Sequence, residues 1–224
     1  MSEIVASAWT AASVGPVTTA SETPLTRTNA ADSIETRILD AALAQFQKLG
    51  VKKTTIEDVA KQAGVDRVTV YRRLGSRDDL VQAVVSREVG NLLAELAGMP
   101  DRHEDLPGLV ADIFVRVITG WRAHPLVERL LAVEPERILV KLTVEGSTVF
   151  AMSVAATVDI LARAARKGLF EAPADLATRT EIGCRVVHSL ILVQGGAAAL
   201  ETPEELAEFA RTYLVPILTG HPGE

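Results

Sequence analysis

The sequence predicts an all-α protein. Apolar residues recur at three- and four-residue spacing over most of the chain after residue 30, and no segment alternates apolar and polar residues as a strand does. Of the 224 residues, 48% are hydrophobic but only 4% are aromatic, which is typical of Ala-rich packed helices. Pro and Gly fall mostly between the periodic stretches, where helices begin and end. We therefore expect helices packed on helices.

The N-terminal region begins with a segment that lacks helical periodicity. Residues 1–30 are rich in Ala, Ser and Thr, and Arg27 is their only basic residue, so we expect a mobile tail without a secretory signal. Asp32 and Glu35 then form a capping-box pattern for a first helix that Gly50 ends. The apolar face of this helix is Ile34, Ile38, Leu39, Ala42, Leu43 and Phe46.

Two short helices joined by a tight turn are expected next. Thr54 and Glu57 have capping-box spacing for the first of them. Gly64 follows it at a position where a residue often needs a positive φ, and Asp66 can cap the second helix. Their predicted bounds are Ile56–Ala63 and Arg67–Leu74. Two helices joined in this way form a helix-turn-helix.

The remainder of the chain is predicted to be helical to its end. Ser76 and Asp79 cap a long helix from Arg77 to about Ala97, and the run Gly98-Met99-Pro100 marks a boundary. The later helices are expected at Leu106–Arg122, Leu126–Val133, Pro135–Val144, Ser147–Arg166, Pro173–Leu200 and Pro203–Leu218. We thus predict a tail over 1–30, a helix-turn-helix domain with its linking helix over 31–97, and a larger helical domain over 98–224.

Charge separates the two predicted domains. Between Lys48 and Arg77 the chain has eight Lys or Arg against three Asp or Glu, although its net charge is −6. From Asn91 onward it has twelve basic and eighteen acidic residues. Positive charge beside a helix-turn-helix indicates DNA binding. The outward residues of the second short helix are Arg67, Val68, Thr69, Tyr71 and Arg72, which combine two guanine readers, a methyl contact and phosphate donors.

Several residues between Thr36 and Leu80 form a set with family-specific spacing. They are Ile38, Leu39, Ala41, Ala42, Phe46, Gly50, Thr55, Val59-Ala60, Ala63-Gly64-Val65, Thr69-Val70-Tyr71 and Leu80. As a set they resemble the N-terminal domain of TetR-type transcriptional regulators. Arg73, Leu74 and Arg77 stand where His, Phe and Lys are common in that family, and Arg77 keeps the charge.

The single cysteine, Cys184, and the lack of a basic n-region predict a cytoplasmic protein. The resemblance implies that the protein binds a double-stranded DNA operator and is released from it by a small-molecule effector. It implies phosphate contacts by Thr55, Thr69, Tyr71 and Arg77, and Thr54 is expected beside them. Two segments too apolar for a solvent face, 144–161 and 182–200, need a second partner, so we expect a homodimer to form through Pro173–Leu200 and Pro203–Leu218.

An effector site is expected among the polar and adaptable residues of the larger domain, namely Trp121, Thr148, Met152, His188 and Gln194. Its surroundings are rich in Val, Ile, Leu, Phe and Met, which predicts an apolar effector. A DNA-binding adaptor that needs no ligand is an alternative.

The sequence offers no pattern typical of an enzyme, such as a phosphate loop or a nucleophile elbow. Cys184 and His188 share a helix face, but the single Cys and four His supply no third metal ligand. We expect no catalytic residue, metal or cofactor, and an enzyme or carrier with an ancillary DNA-binding motif is the weakest alternative. No apolar run reaches the roughly 18 residues of a membrane span without a polar interruption.

Overall fold

A computed structural model describes residues 25–220, apart from positions 134, 135, 137–139, 141, 142, 144, 145, 194, 197 and 199. Compactness divides the chain into residues 1–34 and 35–224. The described part of the first unit is helical from Leu25. Within the described residues the structure is made of helices and turns and has no β-strand, which confirms the predicted all-α class. The predicted domain boundaries after residues 30 and 97 stay predictions.

The N-terminal helices are α1 (Leu25–Leu49), α2 (Ile56–Ala63), α3 (Arg67–Leu74) and α4 (Arg77–Leu96). Between residues 35 and 96 they share a core whose fully buried members include Ile38, Ala42, Phe46, Val51, Val59, Val70, Leu80 and Val84. These residues come from all four helices and one connecting turn. Burying large aliphatic side chains from each helix fixes their relative orientation, because interiors are close-packed.

The observed start of α1 differs from the prediction. The helix begins at Leu25, before the expected cap at Asp32. No Pro or Gly lies between Leu25 and Leu49, so the sequence has no helix-breaking residue that would stop the helix from extending back to Leu25. The Asp32 signal therefore marks a position inside the helix rather than its beginning.

The capping box of α2 differs from the prediction as well, because it lies one residue later in the chain. Thr55 is the N-cap: its hydroxyl accepts a hydrogen bond from the Asp58 amide, while the Asp58 carboxylate accepts one from the Thr55 amide. Thr54 and Glu57 have the same spacing but do not form the box, because the Thr54 side chain lies in the interior. The other predicted caps, Asp66 for α3 and Ser76 with Asp79 for α4, are confirmed.

The larger helical region follows a short 3-10 turn at Met99–Arg102. Its described helices are α5 (Leu106–Arg122), α6 (Pro125–Val133), α7 (Ser147–Arg166), α8 (Leu176–Leu192), α9 (Pro203–Phe209) and α10 (Val215–Thr219). Its core cluster includes Leu106, Ala111, Phe114, Ile118, Leu161, Leu206, Ala210, Leu214 and Leu218. The middle of α5 thus packs against the C-terminal helices.

Two C-terminal helices depart from their predicted form. Helix α8 ends at Leu192, and Val193 already has extended backbone angles, whereas the prediction continued to Leu200. Gly195 and Gly196 lower the helix propensity of that apolar run. The segment after Pro203 contains a π turn at Ala210–Leu214, where the Val215 amide bonds to the Ala210 carbonyl five residues earlier. The next residue, Pro216, has no amide hydrogen to continue an α ladder.

Helix α7 is the one described helix long and apolar enough to cross a membrane by length and composition. Only 17% of its most apolar stretch is buried within the single chain. Its buried residues are Ile160, Leu161 and Ala164, near the C-terminal end. The prediction that this helix needs a second partner stays a prediction, but the single chain does leave much of its surface uncovered.

Candidate nucleic-acid interface

The turn between α2 and α3 positions the second helix of the motif. Gly64 has φ 66° and ψ 39°, the left-handed conformation that glycine adopts without a Cβ clash. The Val65 amide donates to the Ala60 carbonyl at 3.0 Å, which closes the end of α2. Asp66 then begins α3 by accepting a hydrogen bond from the Thr69 amide at 2.6 Å. Each step of the predicted turn is confirmed.

One face of α3 is directed away from the core, while Val70 anchors the opposite face. We define the recognition face as Arg67, Val68, Tyr71 and Arg72, whose side chains are all exposed. Val68 is 72% exposed and Tyr71 43% exposed, so both side chains are accessible to a ligand. Thr69 is half-buried at the edge of this face. The structure therefore brings together the residues that the sequence predicted on this helix.

Arg67 and Tyr71 form a pair on the recognition face, one helical turn apart. The Arg67 Nη2 atom donates a hydrogen bond of 3.2 Å to the Tyr71 hydroxyl. The Arg67 guanidinium carbon also lies 5.2 Å from the centre of the Tyr71 ring. The hydrogen bond to Tyr71 raises the pKa of Arg67 above its ordinary value. The sequence showed the spacing but not the contact.

Thr54 and Thr55 have different environments. Thr54 is 1% exposed, and its hydroxyl donates to the Gly50 carbonyl at 2.8 Å. Thr55 is exposed at the N-terminus of α2, where its hydrogen bonds lower the pKa of Asp58. Of these two threonines, only Thr55 presents a side chain to an incoming ligand. Thr54, which we predicted beside the DNA, holds the connection between α1 and α2 instead.

Arg77, the first residue of α4, is half-buried at the side of the motif. Its Nη1 atom donates to the Lys52 carbonyl at 3.2 Å, which ties α4 to the turn before α2. A guanidinium has five N–H donors, so this bond leaves donors for a phosphate. Lys52, Lys53 and Arg73 are also exposed. These three residues belong to the basic stretch found in the sequence, but we did not predict them as contacts.

Helix α4 makes polar contacts with helices that precede it and with helices that follow it in the chain. Arg87 donates to the Asp40 carboxylate of α1 at 2.8 Å. The adjacent Glu88 lies 3.4 Å from Nε2 of His124, whose Nδ1 accepts a hydrogen bond from the Leu126 amide at the start of α6. Consecutive residues of α4 therefore contact a helix of the helix-turn-helix region and the α5–α6 junction.

The residues predicted for an effector site lie in several environments. Trp121 has a buried indole N–H without a hydrogen-bond partner among the described residues, and His188 packs edge-on against Phe150 with 5.6 Å between ring centres. Met152 is half-buried, but Thr148 is exposed. Gln194 lies outside the described residues. The predicted list omitted Phe150 and Arg185, which form a cation–π contact at 5.1 Å.

Cys184 is largely buried in α8, and burial raises the pKa of its thiol. A raised pKa keeps the thiol protonated and weakens it as a nucleophile. His188 on the next turn contacts the Phe150 ring. Within the part of the chain that the structure describes, no three His, Cys, Asp or Glu side chains are grouped so that they could hold a metal ion.

Comparison with known proteins supports this description of the motif. Residues 38–84 match the family model described as bacterial regulatory proteins, tetR family. The HTH-type transcriptional regulator TtgR of Pseudomonas putida is 38% identical over 105 residues, which cover 45% of this chain and 50% of TtgR. The chain thus spans about half the length of this curated relative.

Solved structures match over a larger share of the chain. The transcriptional repressor QsdR of R. erythropolis, from the TetR family, has a TM-score of 0.62 at 20% identity and covers 86% of this chain and 97% of its own. RolR in complex with resorcinol has a TM-score of 0.59 at 14% identity, with 86% of this chain and 91% of RolR covered. At these identities the comparison shows the fold.

The tight turn, the capped α3 and its exposed recognition face define a helix-turn-helix protein built entirely of helices and turns in its described part. Within that class, residues 38–84 match the tetR family of bacterial regulatory proteins, and the fold resembles that of QsdR over most of the chain. The relatives that match are named as transcriptional regulators rather than enzymes.

Proposed function

We propose that this protein is a sequence-specific DNA-binding transcriptional regulator of the TetR type. The observation that carries the proposal is the recognition face, on which two arginines, a valine and a tyrosine project from a helix anchored by Val70. A helix presented in this way fits the major groove of B-DNA. The surrounding excess of Lys and Arg supplies the attraction to phosphates that a chain of net charge −6 otherwise lacks.

In the proposed complex α3 enters the major groove with its N-terminal end against the base edges. Arg67 and Arg72 donate to guanine, and Val68 contacts a thymine methyl group. Thr55, Thr69, Tyr71 and Arg77 contact phosphates at the sides of the groove. Phosphate contacts set the position of the helix but carry no base information. The half-burial of Arg77 beside Lys52 supports its place at the edge of the interface.

We propose further that the protein is a cytoplasmic homodimer. Ile182 and Val193, on α8 and just after it, are 47% and 63% exposed in the single chain, and Tyr213 is 58% exposed. Large apolar side chains at these levels support a subunit contact along α8 and the C-terminal helices. Two-fold symmetry would place two copies of α3 on two half-sites of one operator, which multiplies the phosphate and base contacts.

The protein is proposed to act as a repressor that a small apolar effector releases from DNA. The buried N–H of Trp121, unpartnered among the described residues, supports a site whose ligand brings a hydrogen-bond acceptor. RolR, which shares the fold, has been solved with the ligand resorcinol. Release requires that the effector bind the DNA-incompetent state more tightly. Helix α4 is suited to transmit this preference because its residue Arg87 contacts α1 and its residue Glu88 contacts the α5–α6 junction.

Selection of bound fragments from a random pool of duplex DNA tests the proposed function. The full-length protein should enrich one motif with two related half-sites. The DNA retained by the protein at moderate salt should share a single consensus sequence. An excess of unrelated duplex should not displace this DNA from the protein. Enrichment of no common sequence would contradict the proposal.

A thermal-shift screen tests the proposed effector site. Neutral aromatic and aliphatic compounds should include ligands that stabilise the folded protein, because a bound ligand favours the native state. Hits confined to phosphate-bearing compounds would contradict an apolar site.

A further inference from the structure

We infer that Tyr71 determines sequence specificity by positioning Arg67 for base readout. This inference rests on the proposed DNA-binding function and assigns Tyr71 a second role beside its phosphate contact. Two contacts carry it: the Arg67 guanidinium donates to the Tyr71 hydroxyl at 3.2 Å and lies 5.2 Å from the centre of the tyrosine ring.

The helical geometry makes this pairing specific. Residues four apart on a helix are neighbours on its surface, so Arg67 at the start of α3 and Tyr71 in its middle face the same side. Arg67 is the first residue of the helix and has no side chain from a preceding turn of α3 to hold it. Its other neighbour on the recognition face, Val68, has no polar atom in its side chain. Tyr71 is therefore the recognition-face residue that restrains Arg67.

Restraint matters because a free arginine side chain has many rotamers. A bidentate contact to guanine needs the planar guanidinium in one orientation, and the entropy lost on ordering it reduces the affinity for that base. Tyr71 holds the guanidinium by a hydrogen bond and by its ring before DNA arrives. Both side chains are exposed, so water competes with the pair in the free protein. The contact strengthens when the duplex displaces that water.

The tyrosine hydroxyl has the capacity for both roles. It accepts from Arg67 through a lone pair and has one O–H to donate to a phosphate oxygen. The same atom then joins the phosphate backbone to the base-reading arginine, so that register on the backbone fixes the orientation of Arg67. A phenylalanine at this position would keep the ring against the guanidinium but lose both hydrogen bonds.

The test compares base preference rather than affinity alone. Operator DNA selected by the wild-type protein, and a set of single-base variants, would be titrated with wild type, Tyr71→Phe, Arg67→Ala and the double variant. Arg77→Ala is the matched control, because its proposed contact is to phosphate. Circular dichroism would show that each variant retains the helical fold.

We expect Arg67→Ala to remove the preference at one base pair of each half-site. Tyr71→Phe should reduce the preference at the same base pair by about two- to tenfold, the factor that corresponds to one ordinary hydrogen bond. Added to Arg67→Ala, it should cause no further loss of preference there. Arg77→Ala should weaken all variants by one common factor.

Three results would overturn the inference while leaving the proposed function intact. The first is that Tyr71→Phe weakens every sequence equally, as Arg77→Ala is expected to do. The second is that Tyr71→Phe alters a base pair other than the one that Arg67 reads. The third is an Arg67→Ala variant with every base preference unchanged. Failure of the wild-type protein to select any common sequence would contradict the proposed function itself.

Discussion

The guanidinium of Arg77 donates a hydrogen bond of 3.2 Å to the main-chain carbonyl of Lys52, which lies in the turn before α2. This bond fixes the first residue of α4 against the segment that leads into the helix-turn-helix. It also keeps a cation beside the turn that precedes α2. The remaining N–H donors of Arg77 are the basis of its proposed phosphate contact.

Arg77→Ala should weaken binding to all DNA sequences alike, because a phosphate contact carries no base information. In a plot of log affinity against log salt, the slope should flatten by about 0.9 for each phosphate interaction that the substitution removes from a subunit. Thr55→Ala removes a neutral donor and should leave the slope nearly unchanged. Fluorescence anisotropy at several salt concentrations measures both. A change in base preference for Arg77→Ala would contradict the placement of α3 in the groove.

The two adjacent threonines should separate stability from binding. Thr54→Val keeps the shape of the buried side chain but leaves the Gly50 carbonyl without this donor, which should lower the free energy of unfolding by about 1 kcal/mol. Its affinity for DNA should not change, because the side chain is 1% exposed. Urea denaturation and DNA titration check the two parts. A loss of affinity in a fully folded Thr54→Val variant would restore Thr54 to the interface.

His103 gives a predicted dependence of stability on pH. Its Nδ1 and Nε2 atoms lie 2.9 Å from the Met99 carbonyl and 2.9 Å from the Asp112 carboxylate, and only the imidazolium donates to both. Partial burial lowers the pKa of His103, but these hydrogen bonds outweigh it, so the pKa is raised overall. A raised pKa stabilises the fold fully below the unfolded value of about 6.5, and this stabilisation is lost as pH rises through the folded value.

Denaturation of wild type and His103→Gln at about pH 6 and about pH 8 would measure this effect. Wild type should lose more stability than the variant as pH rises. Asp112→Asn should reduce the difference, because it removes the carboxylate that favours the charged ring. Identical pH profiles for wild type and His103→Gln would show that this histidine does not titrate with folding.

Arginine at the exposed apolar positions of the C-terminal region should weaken the proposed homodimer. Ile182→Arg and Val193→Arg each place a charge where we expect a subunit contact, and burying an unpaired charge is costly. Glu104→Arg introduces the same side chain at an exposed position far from α8 in sequence and serves as the control. Sedimentation equilibrium should show a larger dissociation constant for the first two variants.

An unchanged dimer mass and stability in both would count against this interface. The same prediction for Ala197 concerns a residue outside the described part of the chain.

Most of the motif could be predicted because its signals are local. A glycine at a left-handed position and an aspartate three residues before the amide that it caps act within one turn of chain, so Gly64 and Asp66 follow from the sequence alone. Thr54 and Thr55 each precede an acidic residue at capping-box spacing, and burial decides between them. Spacing alone carries no information on burial.

Longer-range features were beyond such signals. The apolar run after Leu192 predicts that α8 continues to Leu200, but the helix ends at Leu192, and Gly195 and Gly196 have low helix propensity. The hydrogen bond from Arg77 to Lys52 depends on how α4 packs beside the first helices, which no short window of sequence records. Tyr71 lies within one helical turn of Arg67, yet the contact between them depends on a side-chain conformation that spacing does not determine.

The central claim is that the recognition face reads base pairs, and the most direct measurement is the base preference of Arg67→Ala and Arg72→Ala. Each variant would be titrated against the wild-type operator and its single-base variants at one fixed salt concentration. A bidentate contact to guanine discriminates by about 1–3 kcal/mol, so each variant should lose that much preference at its own base pair and little elsewhere. If both variants keep every base preference of the wild-type protein, the recognition face does not read the operator and the central claim is wrong.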